Sequence, residues 1–591
     1  MKIKNVIFSA ALLLFLLIVL GGVVQAAGPT YACAGWPLCD GLLVPSLAAP
    51  VWFDYLHRVL SMVVLLILSF LAFRLRHQLP SHVRSALIFS FVILVAQALF
   101  GVLLVFRPIP WISGIHLAFS LLALAALIHA WIIVGNGEDE NTRTFQLNTR
   151  YQRVVFGTAL VIFAVLVSGG LIAGADPGVV CPGWPLCNGW PFPGHPLGWL
   201  HLFHRVLVGF GALAVFVVML RAWRIHREQT GVLVSATLVG MLYLAQIQLG
   251  ALQVFRAFPT DLLWLHQAAS VALWAACVAL VTFVGYSGHT QAEEDAQKVV
   301  VINVGQRVKD LVALSKPIIV LLLLVTTYTG MVVGGKSIPG FEVTLFTLVG
   351  GALAAGGSGA INQYIDRDID RRMARTAKRP IAAGRMFPSE GIAFGVGVLV
   401  VAFFLLAGFV NLLAALLSLA GMLYYVVLYS LILKHRSVQN IVIGGGAGAI
   451  PPLVGWAAVT GSLSMPALFL FAIIFMWTPP HFWALALIRK NDYKEAGIPM
   501  LPVVKGEQET RRQVWIYTLE LVGLTLLMWL FQMAGWIYLV AALLLGGYLI
   551  YWAWQVLKVG TNQIAWRMYR YSSMYLALLF VALMIDAVML P

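Results

Sequence analysis

The chain has 591 residues, 61% of them hydrophobic and 10% charged, and its mean hydropathy is +0.91. These values exclude a soluble globular protein and require helices embedded in a bilayer. The formal charge of +15 lies in short segments between apolar runs, so it reads as the positive-inside bias of a membrane protein and not as a surface for nucleic acid.

Apolar runs of about 20 residues, the length that crosses a hydrocarbon core, recur about seventeen times. The expected fold class is an all-α polytopic membrane protein. The first run follows Met1-Lys2-Ile3-Lys4 and ends in Gln25-Ala26-Ala27, which imitates a secretory leader and its cleavage site. Arg74, Arg76 and Arg84 follow the second run, Arg143, Arg150 and Arg153 the fourth, and Arg221, Arg224 and Arg227 the sixth. These segments and the N-terminus are expected to be cytoplasmic. The intervening segments, poor in Lys and Arg, then face outward.

Two of the outward segments carry CAGWPLCDG (33–41) and CPGWPLCNG (181–189), and self-comparison at an offset of about 148 residues extends the match. Gly21-Gly22 pairs with Gly169-Gly170, His57-Arg58 with His204-Arg205, and Gln97 and Gly101 with Gln246 and Gly250. Phe106-Arg107 pairs with Phe255-Arg256, and His116 with His266. Two four-helix units of one design are predicted, over 1–135 and 150–285. Because Gly21-Gly22 belongs to the repeat, the first run is expected to stay as a membrane helix.

Each unit places two histidines near the outer ends of its helices, His57 with His116 and His204 with His266. Two imidazoles aimed into one four-helix bundle suit axial ligation of haem iron. Zinc is disfavoured, because no HExxH motif or tight Cys/His cluster occurs. Arg58, Arg107, Arg205 and Arg256 are candidates to pair with haem propionates, although arginines near helix ends also snorkel to the interface. Three residues before the histidine the first unit has Asp54 and the second has His201. One helical turn brings that position toward the same site, so chemistry is expected in the first unit and electron handling in the second.

The duplicated bundles, the cysteine loops and the acidic-x-x-His-Arg motif of residues 1–285 resemble haem A synthase. That resemblance implies haem b held by His204 and His266, substrate haem O held by His57 and His116, and oxidation of its C8 methyl to formyl. Asp54 stands where the family usually has a glutamate acting as acid or base. Four loop cysteines allow three connectivities. A disulfide within each loop, Cys33–Cys39 and Cys181–Cys187, would order a lid over each site, and a redox role for the first pair is the alternative.

A polar stretch, 286–312, reads as a cytoplasmic linker, and about nine further spans follow over 313–591. Asn362, Asp366 and Asp370 fall at i, i+4 and i+8 on one helical face. Carboxylates clustered at the end of an apolar helix call for a cation, and hard oxygen ligands select Mg²⁺ bridging to phosphate. Arg375, Lys378 and Arg379 follow as candidate diphosphate contacts. A second acidic site, Asp492 with Glu495, is expected on the same cytoplasmic face, so that the two sites clamp a metal-bound diphosphate.

The Asn362/Asp366/Asp370 and Asp492-Tyr493 motifs resemble intramembrane prenyltransferases. Lys316-Pro317, TAKRP (376–380), GAIPPLVGW (448–456), TPPHFW (478–483) and AGIPMLPV (496–503) narrow the resemblance to protohaem IX farnesyltransferase over 310–591. It implies that Asn362, Asp366, Asp370 and Asp492 organise Mg²⁺ and diphosphate. Lys434, Arg436 and Asn440 are further candidates for diphosphate or propionate contact, and His481 for contact with haem or a structural role.

Together the two resemblances imply one chain that farnesylates haem b to haem O and oxidises haem O to haem A in the cell membrane. Its expected cofactors are haem b and Mg²⁺. Its expected partners are haem b, haem O, farnesyl diphosphate, membrane lipid, an electron donor or acceptor and terminal-oxidase assembly proteins, with no nucleic acid. Two rivals remain open: a dihaem electron-transfer or quinone-reducing module fused to a quinone prenyltransferase, and a haem delivery factor with a degenerate transferase.

Overall fold

A computed structural model describes the chain apart from residues 1–2, 27–32, 34, 37–38, 40, 43, 47, 75–78, 107–108, 136–144, 175–180, 188–192, 288–302 and 590–591. Among the described residues, seventeen helices are long and apolar enough to cross a membrane, and the sole strand-like feature is an isolated bridge between Cys39 and Leu42. The chain is an all-α multi-pass membrane protein. It divides into two compact units, Met1–Val301 and Ile302–Pro591.

The first unit holds α1 (Ile3–Ala26), α2 (Ala49–Ser69), α3 (Ser81–Phe106), α4 (Pro110–Gly135), α5 (Arg150–Ala173), α6 (Pro196–Ile225), α7 (Thr230–Phe255) and α8 (Thr260–Gly285). Helices α1–α4 make one bundle and α5–α8 a second. Local chemistry fixes several ends. Thr149 and Gln152 form a reciprocal capping box at the start of α5, and prolines open α2 and α6, where a missing N–H costs no hydrogen bond. The central helices α1, α4, α5 and α8 pack on one another across the two bundles, leaving α2, α3, α6 and α7 outside. Small residues permit that seam: a Cβ on Gly22 would come within 2.9 Å of the Gln267 Cβ, and one on Gly170 within 2.7 Å of Leu117.

Between the two sets of spans, residues 288–302 of the expected linker lie outside the described residues. Its last part is a helix, α9 (Val304–Leu314), capped by Asn303, whose Oδ1 accepts from the Gln306 N–H at 3.1 Å. Asp310 and Leu314 are buried, Arg307 pairs with Glu390 at 2.8 Å and Arg385 with Asp310 at 3.0 Å, so α9 is docked and not loose chain. The spans that follow are α10 (Pro317–Gly335), α11 (Phe341–Ile365), α12 (Pro388–Phe409), α13 (Leu412–Leu433), α14 (Asn440–Thr460), α15 (Met465–Ile488), α16 (Gly506–Leu530), α17 (Trp536–Lys558) and α18 (Asn562–Met589). They close a ring in which α18 returns to α10. Gly455 lets α14 lie directly against the Thr327 carbonyl of α10, where any Cβ would collide. The second half of α13, Tyr424–Leu433, winds as a π-helix, a distortion often found at functional sites.

Candidate functional site

In the first unit every histidine of the repeat rests on a glycine of the adjacent helix. A Cβ would meet the imidazole Cε1 at 3.0 Å from Gly21 to His57, 3.1 Å from Gly101 to His116, 3.3 Å from Gly169 to His204 and 3.5 Å from Gly250 to His266. The glycines make room for four rings inside apolar bundles. His57 lies near His116 and His204 near His266, so each bundle brings its pair together. Among the described residues no third His, Cys, Asp or Glu joins either pair to form a metal cluster. Two imidazoles in a wide apolar bundle fit a porphyrin iron better than a bare ion.

The rings are anchored differently. His204 Nδ1 lies 2.9 Å from Ser168 Oγ, and His116 Nδ1 lies 2.9 Å from the Gln97 carbonyl. The Gln97 side-chain amide is also 2.8 Å from His116 Nε2 and must turn aside before that nitrogen can bind iron. Its counterpart Gln246 instead donates to the His266 carbonyl at 2.8 Å and to Ser270 Oγ at 3.1 Å.

Both expected disulfides, Cys33–Cys39 and Cys181–Cys187, are formed, and the likeness of the two repeats extends to what holds each loop. Arg205 donates to the carbonyls of Gly183 at 2.8 Å and Pro185 at 2.9 Å. Arg58 donates to the carbonyls of Gly35 at 2.7 Å and Cys33 at 2.9 Å, and also pairs with Asp54 at 3.2 Å. His201, at the Asp54 position, is buried without offering a carboxylate. Arg256 is exposed at the end of α7, and Arg107 lies outside the described residues.

In the second unit Asn362, Asp366 and Asp370 are all buried, but the helix expected to carry them on one face ends at Ile365, so Asp366 caps it and Asp370 lies on the following short helix Arg367–Asp370. Asn362 Nδ2 donates to Asp366 Oδ2 at 2.9 Å and to Ser430 Oγ at 3.0 Å, while its Oδ1 accepts from Lys316 Nζ at 2.6 Å. Lys434 pairs with Asp366 Oδ2 at 2.5 Å, and Arg379 grips both oxygens of Asp370 at 2.9 and 2.7 Å. Asp366 Oδ1 is buried with no hydrogen bond, and His435 Nε2 lies 3.9 Å from it. Asn440 Oδ1 is likewise buried and unpaired. Orphaned hard oxygens beside two carboxylates fit Mg²⁺, and three cations within reach fit diphosphate.

Lys316 sits in a left-handed conformation, φ 51°, at the join of α9 and α10. Gln363, next to Asn362, donates to the carbonyls of Ala313 and Leu314 just before it. Burial, reinforced by the Arg379 charge, pushes its ammonium down to about 7, against the pull of Asp366. The sequence marks Lys316 only as part of a motif. Nothing in its spacing, 46 positions from Asn362, signals the contact. Tyr425, 3.3 Å from Lys316 Nζ, and Ser430 escape for the same reason.

Among the described residues Asp492 forms no group of three His, Cys, Asp or Glu side chains with Asp366 and Asp370 that could hold a metal ion. It sits on the short helix Lys490–Glu495, partly exposed, 3.7 Å from Arg489. Tyr429 and Arg375 span the gap, since each interacts electrostatically with Tyr493 and Tyr429 also with Asp366. Lys378 and Arg436 are exposed at the rim. His481 is buried against Ser572 Oγ at 2.8 Å and stacked on Trp477 and Tyr569, the setting of a packed aromatic cluster.

A ring of nine spans with an Asn-Asp-Asp cluster under basic side chains, joined to a duplicated histidine bundle, defines a membrane enzyme of prenyl transfer carrying a haem-handling unit. Residues 323–579 match the UbiA prenyltransferase family, and residues 4–278 match the family described as cytochrome oxidase assembly protein. A protohaem IX farnesyltransferase of Roseiflexus sp. is 40% identical over 516 residues, covering 84% of this chain and 96% of its own length. That of Chloroflexus aurantiacus is 37% identical over 590 residues, 96% of each chain. A shorter one from Gloeobacter violaceus is 52% identical over 282 residues, 48% of this chain and 92% of its own. The chain belongs to the protohaem IX farnesyltransferase family, in the form that is fused to a haem A synthase-like unit.

Proposed function

We propose that this is a bifunctional enzyme of haem A formation. Residues 313–591 transfer farnesyl from its diphosphate to haem b, giving haem O, and residues 1–285 oxidise the C8 methyl of haem O to the formyl group of haem A. The observation that carries the second activity is a difference inside the repeat. Both bundles keep a glycine-backed histidine pair, and only the first sets a carboxylate, Asp54, one turn before its histidine.

In the transferase unit, Lys316, Lys434 and Arg379 bind and orient the diphosphate oxygens, since charge-assisted hydrogen bonds to an anion are roughly twice as strong as neutral ones. Asp366 and Asp370 would hold Mg²⁺, which supplies charge neutralisation of the leaving diphosphate. Asp492 and Arg375 complete the rim. Tyr425 and Tyr429, stacked with centroids 5.7 Å apart, offer π faces to positive charge developing on the prenyl carbon.

In the histidine unit, His204 and His266 would keep haem b, which supplies electron handling. His57 and His116 would hold haem O as substrate, and Asp54 would accept protons released as its methyl carbon is oxidised. Conversion of the methyl and one water to formyl releases four protons and four electrons, so an electron acceptor is required, and terminal-oxidase assembly proteins are the expected recipients of the product. The enzyme lies in the cytoplasmic membrane with its N-terminus and aspartate site inward and its cysteine loops and histidine pairs outward.

The test is extraction of the haems from membranes expressing the whole chain, supplied with oxygen and farnesyl diphosphate. Haem A with some haem O is expected. Finding haem b alone refutes the proposal and leaves the electron-transfer rival standing.

A further inference from the structure

The arginine that follows each first histidine suits a haem propionate, yet Arg58 has its donors occupied elsewhere. Its Nη1 donates to the Gly35 carbonyl at 2.7 Å and its Nη2 to the Cys33 carbonyl at 2.9 Å. The same guanidinium faces Asp54 through Nε at 3.2 Å and Nη2 at 3.3 Å, one nitrogen for each carboxylate oxygen. Asp54 and Arg58 are both buried, so neither is free to trade these contacts for water.

The second bundle separates the two roles. Arg205 holds the Cys181–Cys187 loop through the Gly183 and Pro185 carbonyls, and no carboxylate stands where Asp54 does. Fastening a loop therefore needs only the arginine. Adding an aspartate one turn away makes the same guanidinium a bridge from loop to carboxylate. A planar five-donor fork can serve two carbonyls and two carboxylate oxygens at once, and an ammonium cannot.

We propose that Arg58 is a positioning residue for haem O oxidation: it fixes the Asp54 carboxylate in one orientation by tying it to the disulfide-closed Cys33–Cys39 loop, and it is not a propionate anchor. The inference rests on the reading of Asp54 as the proton-moving group. The disulfide acts through the same route, because it orders the two carbonyls that hold the guanidinium. The loop over the first bundle is thus part of the machinery that aims the carboxylate.

The test uses the whole chain in lipid vesicles, with haem O titrated in. Binding is read from the absorbance change of added haem O, and turnover from haem A formed at saturating haem O. In Arg58→Gln, haem O binding should stay within about twofold of the parent while turnover falls at least tenfold. Arg58→Lys, which keeps the charge but not the fork, should recover part of that turnover. The pair Cys33→Ser with Cys39→Ser should repeat the Arg58→Gln pattern. The absorbance of the haem b held by the second bundle reports whether each variant is folded, and the cysteine pair and Arg58→Lys keep the test open if Arg58→Gln is not. Binding weakened tenfold or more in Arg58→Gln, with turnover at saturation unchanged, would show a propionate anchor and overturn the proposal. Asp54→Asn separates the layers. Normal turnover in that variant defeats the reading of Asp54, whereas an inactive Asp54→Asn beside a fully active Arg58→Gln defeats only the role given to Arg58.

Discussion

The two bundles of the first unit share a plan and differ in how tightly it is closed. In the second, Tyr243 donates to the Val208 carbonyl at 2.9 Å and Trp223 to Thr237 Oγ1 at 2.9 Å, tying α6 to α7 twice. Gly211 admits the Tyr243 hydroxyl, which any Cβ there would strike. The matching positions in the first bundle are Val64 and Leu94, and no hydrogen bond joins α2 to α3 among the described residues. Helix α3 leaves Ile88, Phe89, Val92, Val95, Leu99, Leu103 and Phe106 exposed, whereas α7 exposes only Leu244 and Phe255 among its large apolar residues. With Gln97 on the His116 ring and Gln246 turned away from His266, the difference matches the division of labour proposed above. The bundle proposed to keep haem b is the one laced by hydrogen bonds, and the bundle proposed to turn haem O over is the looser one.

The largest effect should come from the residue that has no counterpart. Asp54→Asn should abolish haem A formation and let haem O accumulate, with the haem b absorbance of the second bundle intact. Haem A made at the parental rate by this variant would erase the chemical distinction between the bundles. Next, the two distal histidines should behave unlike each other. His266→Ala should lose haem b on purification, since one of the two imidazoles proposed to hold it is gone. His116→Ala should keep that haem and weaken haem O binding instead, as read by titration. Equal loss of resident haem in both variants would mean that the bundles are not specialised.

Much of this contrast is legible in the sequence, and the reason is period. The repeat, the four histidines and Asp54 against His201 are local or duplicated patterns, which helical geometry converts directly into shared faces, whereas the run from Asn362 to Asp370 is local but crosses a break in the helix at Asp366. The missing parts are contacts between elements far apart in the chain. Lys316 reaches Asn362 only because α9 is docked by Arg307–Glu390 and Arg385–Asp310, so the stretch read as linker is in part the floor of the transferase site. Arg58 and Arg205 were legible as arginines near haem, but their grip on loop carbonyls depends on loop shape, which no spacing encodes. The two acidic motifs each carry their own cations, Arg489 beside Asp492 and Arg379 and Lys434 beside Asp370 and Asp366, pairings that no spacing encodes.

A fair comparison of the bundles also requires a steady supply of haem O, and Lys316 makes that supply pH-dependent. Its ammonium is held down to about 7, so it is charged below that pH and neutral above it. A neutral amine cannot pair with diphosphate, so affinity for farnesyl diphosphate should fall by up to about tenfold per pH unit above 7. Lys316→Arg, which stays charged, should flatten that profile, measured as haem O formed from haem b at limiting farnesyl diphosphate. An unchanged profile would place the titrating group elsewhere.

The smallest predicted effect bears most directly on what keeps a haem resident. Tyr243→Phe removes one hydroxyl and leaves the ring, so the packing of α6 on α7 is preserved and only the bond to Val208 is lost. A hydrogen bond of this kind contributes about 1 kcal/mol. If opening between α6 and α7 is the route by which haem b leaves, the barrier drops by that amount and release to a haem acceptor should quicken about fivefold. The reverse change, Leu94→Tyr in the first bundle, has no glycine to receive it: Val64 stands where Gly211 does, so the hydroxyl would collide, and the lacing should be transferable only as the pair Val64→Gly with Leu94→Tyr. That double variant should slow haem O exchange at the first bundle, read by absorbance, while Leu94→Tyr alone should not. Failure of the pair to slow exchange would mean that the gap between α2 and α3 is not the path, and that residence is set by the histidines and Gln97 instead.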